Sequence, residues 1–208
     1  MSATSSRSSS TRRCRTPSAK RRLRPGAERL SDLPPGLLIR PETPSDTAAI
    51  DRVQLAAFGD PQIPPLIAAI RASPNYLPEL ALVAKLGGEV VGQIMVSGLP
   101  LLTDDGDIPI LVLSPLGVAP GHQNAGIGEA LTRASLAIAD RRPEPVTVVQ
   151  GHPTYYPRFG FVRARTLGIL PPERLGAIDK AWMARPAPTW TPVVRGRVAY
   201  PWYFAELD

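Results

Sequence analysis

Two glycines one residue apart, at the start of a stretch with helical apolar spacing, allow the backbone itself to do chemistry on an anion. Gly126-Ile127-Gly128 stand between an apolar run ending near Val118 and the pattern Ile127, Ala130, Leu131, Ala134, Ile138. A helix start presents N–H groups without intrahelical partners and the positive end of the helix dipole. Glycine has no Cβ to keep a phosphate away from those amides. The segment Leu113–Leu131, LSPLGVAPGHQNAGIGEAL, is therefore a phosphate-loop candidate. Two common phosphate loops fail on residue type. A Walker loop needs Lys and Ser/Thr after its second glycine, but Gly121-xxxx-Gly126 is followed by Ile127-Gly128. A dinucleotide fingerprint needs a third glycine where Leu131 stands.

The remaining chemistry-bearing residues are few. The chain has two histidines, His122 and His152, far apart and without ligand-spaced neighbours, so no metal is expected. His122 reads as a solvated turn residue or a weak cofactor contact. Asp104, Asp105 and Asp107 lie in Thr-Asp-Asp-Gly-Asp. They could attract a cationic amine, although a solvated turn is the simpler reading. The single cysteine, Cys14, excludes an intrachain disulfide framework.

These residues must be positioned by the elements around them. Leu37–Arg40 is a short strand stopped by Pro41 to Asp46, which supplies helix N-caps. Ala49, Ile50, Val53, Ala56, Ala57 and Phe58 recur as one helix face, and Pro64–Ala72 reads as a second, short helix. Leu80–Leu86 and Glu89–Val96 flank Gly87-Gly88, a hairpin signal. Ile108–Val118 is a long strand in which Pro115 cannot donate to a ladder, so a bulge or interruption is expected there. Gly126–Asp140 is the helix after the glycine loop, Pro145–Val149 a buried strand, and Thr154–Arg158 a short helix before Gly160-Phe161 and another strand. Val193–Phe204 is β-rich and the least legible segment. Hairpins followed by a strand–helix–strand crossover predict a mixed α/β sheet.

The net charge of +6 is localised. Residues 1–32 carry nine of the 24 basic residues and two of the 18 acidic ones, which leaves −1 for the rest of the chain. Residues 1–34 are Ser/Thr/Arg-rich and predict a disordered basic tail, with 35–208 as a single domain. That tail reads as a solvated extension, a weak nucleic-acid or other polyanion contact, an organelle transit peptide or a twin-arginine signal, in falling order. No apolar run approaches the ~20 residues of a membrane span, and a cytoplasmic location is expected.

The string Gln123-Asn124-Ala125-Gly126-Ile127-Gly128 resembles the Q/R-x-x-G-x-G/A signature of the GCN5-related N-acetyltransferases, the GNAT superfamily. The element order from about Leu37 to Phe161 is similar as well. Gly151-His-Pro-Thr-Tyr-Tyr-Pro-Arg-Phe-Gly-Phe161 resembles a branch of predicted acetyltransferases with G-D-P-x-Y-Y-x-R-F-G-F, His152 standing where that branch has Asp.

The resemblance implies an α/β (α+β) fold whose mostly antiparallel twisted sheet has helices on both faces and a splayed central strand pair. Its common core would end at about residue 165, with 166–208 variable. It implies acetyl-CoA as cosubstrate and an amine acceptor, small molecule or peptide. A homodimer stays open, and the lack of a long apolar run predicts no membrane partner. Gln123, Asn124, Ala125, Gly126, Ile127 and Gly128 would hold the pyrophosphate. Leu116 and Val118 would pair their backbone with pantetheine, and the Val118 N–H would polarise the acetyl carbonyl. Tyr156 would be the general acid toward the departing thiolate. The base is not visible: Ile108–Val118 has no carboxylate, which leaves His152 as base or substrate contact. Two other readings stay open, a non-catalytic acyl-CoA-binding module and a nucleic-acid-associated protein acting through its tail.

Overall fold

The computed structural model describes residues 33–175 and 178–204. The basic tail up to residue 32, with Cys14, lies outside the described residues. Nine strands form one sheet: β1 (Leu38–Pro41), β2 (Ala81–Leu86), β3 (Glu89–Leu102), β4 (Ile108–Val118), β5 (Val146–Gln150), β6 (Val162–Arg163), β7 (Ile169–Leu170), β8 (Trp182–Pro186) and β9 (Gly196–Val198). Among the described residues three α-helices accompany them: α1 (Thr47–Phe58), α2 (Ile63–Arg71) and α3 (Ile127–Ala139). The sheet order is β1-β2-β3-β4-β5-β8-β6, with β9 joining β3 to β7. All pairings are antiparallel except β4 with β5 and β7 with β9.

The local causes are those of the sequence. Thr43 donates its N–H and its hydroxyl to Asp46 Oδ2 at 2.9 and 2.8 Å, closing the turn that starts α1. Gly59 ends that helix at φ 68°. Gly87 and Gly88, both at positive φ, form the two-residue turn between β2 and β3. On β3, a methyl group at Gly92 would lie 3.1 Å from Leu131 and 3.3 Å from Ile127. The absence of a side chain there lets α3 sit directly on the sheet.

The two faces carry separate cores. One holds α1 and α2 with Ile50, Ile67, Ile70, Met95, Val112 and the late residues Trp182 and Phe204. The other holds α3 with Ile94, Leu111, Leu113, Leu131, Tyr156 and Phe161. Alternation along β3 and β4 explains the division, since successive side chains on a strand point to opposite faces.

The bulge expected at Pro115 is present. Ile94 pairs with Leu116 and Val96 with Leu113, so Ser114 and Pro115 together oppose Met95 alone. Three differences from the sequence reading concern the end of the chain. The short helix before Gly160 is a 3-10 turn over Tyr156–Phe159, which Gly160 ends in the left-handed region at φ 87°. Val193–Phe204 contains only the three-residue β9 and a 3-10 turn at Trp202–Phe204. Trp182–Pro186, not anticipated as a strand, lies antiparallel along β5. Among the described residues no helix is long and apolar enough to cross a membrane.

Candidate active site

The site exists because two neighbouring parallel strands part. β4 and β5 share only the pairs Leu111–Thr147 and Val112–Val148. Beyond them the bulge at Ser114-Pro115 turns the end of β4 away. Ala119 donates its N–H to Val91 O at 2.9 Å, which makes that residue pair a hydrogen-bonded one. In an antiparallel ladder such pairs alternate, so Gln93–Gly117 is also bonded, whereas Gly92–Val118 and Ile94–Leu116 are not. The peptide groups of Leu116 and Val118 therefore point away from β3, into the gap that β5 does not fill. The Val118 carbonyl accepts a hydrogen bond from Gln123 Nε2 at 3.1 Å, and its N–H remains directed at the gap.

The glycine loop closes one end of this gap. Pro120–His122 is a 3-10 turn, Asn124 adopts φ 60° and Gly126 φ 78°, and α3 begins at Ile127. Asn124 is the described non-glycine residue in the left-handed region, a conformation that asparagine tolerates better than most. Ala130 N–H bonds Gly126 O at 2.9 Å, so the first-turn amides of Ile127, Gly128 and Glu129 precede the first bond of the helix. A Cβ at Gly128 would lie 3.2 Å from the Tyr155 hydroxyl and 3.6 Å from Val118 Cγ2, so the bare glycine keeps this approach narrow but open.

Tyr156 lines the same cleft. His152 O accepts the N–H groups of Tyr155 at 3.0 Å and Tyr156 at 3.4 Å, winding the turn that aims both rings inward. The Tyr156 ring meets Tyr155 at 5.1 Å and Phe161 at 5.5 Å, both edge to face. It lies so close over Gly151 that a Cβ there would be 2.3 Å from Tyr156 Cε2. Burial, with Tyr155 adding to it, raises the Tyr156 pKa above its ordinary 10 and holds the hydroxyl protonated. Tyr155 is also raised by burial. Arg158 stacks on the Tyr155 ring at 4.8 Å, donates to Tyr155 O at 3.0 Å and stands 3.9 Å from Glu129.

The turn bearing Tyr156 is tied down from β8. Arg185 donates to Phe159 O at 3.0 Å and forms a two-pronged ion pair with Asp140 at 2.6 and 2.8 Å. Asp140 caps the C-terminal end of α3, so one side chain fixes the tyrosine turn relative to the helix that starts at the glycine loop.

All ten residues expected from sequence line one cleft of about 1270 Å³: Leu116, Val118, Gln123 to Gly128, His152 and Tyr156. His152 is exposed at its rim, with its carbonyl rather than its imidazole committed to structure. His122 lines it too, whereas Asp104, Asp105 and Asp107 do not. Phe58 and Ile63, at the junction of α1 and α2, also line the cleft. Sequence reasoning did not select Gly151, Arg158, Arg185 or Phe58. A glycine at a strand end just before two tyrosines was a usable signal for Gly151. Arg185 had none, because its partner Asp140 is 45 residues away. Among the described residues no group of three or more His, Cys, Asp or Glu side chains is placed to hold a metal.

Residues 38–164 match the family described as Acetyltransferase (GNAT) domain. The uncharacterized N-acetyltransferase YjhQ of Escherichia coli (strain K12) is 33% identical over 118 residues, which is 56% of this chain and 65% of that protein's length. Among solved structures, the GNAT family N-acetyltransferase YhbS from Escherichia coli in complex with CoA superposes with a TM-score of 0.73 at 25% identity, over 83% of this chain and 93% of that one. A GNAT family acetyltransferase from Brucella melitensis in complex with acetyl-CoA gives 0.65 at 28% identity, over 81% and 97%. With its sheet, its parted strands and its glycine loop in one frame, this chain belongs to the GNAT acetyltransferase family.

Proposed function

We propose that this protein moves an acetyl group from acetyl-CoA to an amine of a small molecule or peptide, by direct attack in a ternary complex. The observation that carries this reading is the gap between β4 and β5, with the open amides of the glycine loop and the Tyr156 ring lining one cleft. The similar structures of YhbS and the Brucella protein were solved with CoA and acetyl-CoA, which supports the cosubstrate.

In this reading Gln123 to Gly128 hold the pyrophosphate through their amides, and Leu116 and Val118 offer peptide groups to the pantetheine arm. The Val118 N–H, directed into the gap, hydrogen-bonds the carbonyl oxygen as charge develops on it. The amine nitrogen bonds the acetyl carbon, the carbon–sulfur bond breaks, and a proton leaves the nitrogen for His152 or water. Positioning does most of this work. Tyr156 donates a hydrogen bond from its hydroxyl to the sulfur as the thiolate departs, and the thiolate takes its proton from solvent. The raised pKa of Tyr156, against about 8.5 for an ordinary thiol, makes the residue chiefly a hydrogen-bond donor that stabilises the developing thiolate. The cleft-facing end of the α1–α2 junction, with Phe58 and Ile63, would take the acceptor.

One observation favours a second reading, an acyl-CoA-binding module without turnover. β4 carries no carboxylate, and the carboxylate in the cleft, Glu129, is 2.8 Å from Arg133. Free-thiol release from acetyl-CoA over a broad amine panel separates the two. Turnover with any amine supports the enzyme. Calorimetric binding of acetyl-CoA with no thiol release across the panel leaves the module, and no binding at high micromolar ligand refutes both.

A further inference from the structure

An aromatic side chain at the end of α1 is left open in the cleft: Phe58 is 49% exposed and lines it. Phe58 stands four residues after Gln54, so the two share one face of the helix. Gln54 abuts the end of β4, since a Cβ on Gly117 would lie 2.3 Å from its Oε1. The open ring is therefore one helical turn from the strand end whose Val118 N–H meets the acetyl carbonyl in the reading above. Ile63, the first residue of α2, lines the same cleft with Pro115, Pro153 and Ala181.

The charged side chains around this wall are engaged with one another. Among the described residues Glu129 is the carboxylate that lines the cleft, and it lies 2.8 Å from Arg133 and 3.9 Å from Arg158. Asp60, between α1 and α2, accepts the Gln62 N–H at 2.9 Å. A cationic amine entering here meets an apolar wall and the cation of Arg158, and an unpaired charge leaves water for such a wall only at a cost. An alkylamine with a pKa of about 10.4 is neutral in only about one molecule in 2,500 at pH 7. It needs one group to hold the cation and another to take its proton before attack. An aromatic amine needs neither. Its nitrogen shares its lone pair with the ring and is unprotonated near neutral pH, and the ring is a flat apolar surface that matches Phe58.

We infer that the acceptor is an aromatic amine, its ring packed on Phe58 and Ile63 and its nitrogen aimed at the acetyl carbon. This rests on the acetyl-transfer reading above and names the acceptor class of that site. The nitrogen lone pair bonds the carbonyl carbon, and the carbon–sulfur bond breaks with its electron pair going to sulfur. The nitrogen, made acidic by its new bond, gives one proton to water or His152. The thiolate takes a proton from solvent, so the products are an anilide and CoA.

The test follows thiol release from saturating acetyl-CoA on the full chain with p-toluidine, phenethylamine and spermidine between pH 7 and pH 9. At pH 7, kcat/KM for p-toluidine should exceed that for phenethylamine, an alkylammonium on a similar ring, by at least about tenfold. It should stay within about twofold up to pH 9, whereas phenethylamine gains about tenfold per pH unit as its ammonium loses a proton. Phe58→Ala, at a half-exposed position, should raise KM for p-toluidine about threefold to tenfold and leave the acetyl-CoA dissociation constant within about twofold. Phenethylamine or spermidine matching p-toluidine at pH 7, or unchanged p-toluidine kinetics in Phe58→Ala, overturns the inference and leaves acetyl transfer standing. So does an absence of thiol release with p-toluidine when acetyl-CoA binds. If calorimetry shows that acetyl-CoA does not bind the unaltered chain, the acetyl-transfer reading itself falls, a result distinct from a wrong acceptor class.

Discussion

Gly151→Ala tests whether Tyr156 acts where the fold places it. The added methyl would stand 2.3 Å from Tyr156 Cε2, 2.9 Å from Cδ2 and 3.2 Å from Cζ. Ordinary contact begins near 3.4 Å, so the ring must withdraw by about 1 Å or swing to another rotamer. It cannot do so freely, because Tyr155, Phe159 and Phe161 surround it. Overpacking of this kind costs about 1–3 kcal/mol of stability. A misplacement of about 1 Å at a reacting atom can cost about 10²-fold in rate. Gly151 is not at positive φ, so the effect is steric and acts through the ring rather than through backbone strain. Thiol-release kinetics should show kcat down by about 10²-fold, with the acetyl-CoA dissociation constant changed by less than about threefold, since the glycine loop is untouched. Tyr156→Phe keeps the ring and removes the hydroxyl. Combined with Gly151→Ala it should add little, because both changes remove one interaction. A Gly151→Ala protein that folds and retains kcat within about twofold would refute the assignment.

The other expectations concern charge and backbone. Burial raises the Tyr156 pKa, so the donor is fully loaded below pH 10 and is lost only as pH rises through the higher folded value; kcat should show no falling limb below pH 10 that vanishes in Tyr156→Phe. Gly126→Ala places a side chain at φ 78° and 3.1 Å from Leu33, and calorimetry should show acetyl-CoA affinity falling at least about tenfold while the melting temperature drops only modestly. Arg71→Met leaves the buried Glu42 carboxylate without its ion pair at 2.6 Å and should cost about 3 kcal/mol in urea unfolding, with Glu42→Gln recovering part of it in the double variant. Arg40 and Thr43 hold the Asp46 carboxyl well below the usual carboxylate range, so its contribution is present above the unfolded value of 3.8 and lost as pH falls further. Asp46→Asn should therefore destabilise at pH 7 and flatten the acid limb of the stability curve; an unchanged acid limb would count against it.

The readable parts of the sequence were those whose cause is local. Gly87-Gly88 specifies its own turn, Pro115 its own bulge, and the glycines at 126 and 128 their own helix start. Ile108–Val118 has the bounds expected of it because a turn closes one end and Pro120 the other. What stayed hidden is set by partners distant in the chain. β8 is a strand because β5 offers it an edge about 35 residues earlier, and nothing within Trp-Met-Ala-Arg-Pro announces that edge. The same holds for Arg185, whose two partners sit on α3 and on the tyrosine turn. The candidate site was legible through its glycine loop and its tyrosine because they carry their own turns. The acceptor side was not, since Phe58 and Ile63 reach the cleft only through the packing of α1 and α2.

The end of β4 past the bulge that Pro115 makes is also backed by the interior beneath it. Gly117 follows the bulge on β4, and its missing side chain is where Gln54 of α1 lies: a Cβ there would be 2.3 Å from Gln54 Oε1. Gln54 is fully buried, donates to Gln93 O at 3.2 Å and also to the Gln93 side chain. Gln93 in turn donates to Glu42 at 3.4 Å, which Arg71 of α2 and Tyr76 also hold. A chain of amides and one carboxylate thus runs from the end of β4 through β3 to α2. Buried polar groups are costly unless paired, so α1 has one depth and one rotation at which these bonds are made. At that setting α1 occupies the space a side chain at 117 would claim, and β4 cannot relax back toward an unbulged ladder without displacing Gln54. The end of β4 is held from below by α1, while its peptide groups at Leu116 and Val118 face the gap. Buried polar packing under the sheet thus backs the end of β4 whose peptide groups face the gap.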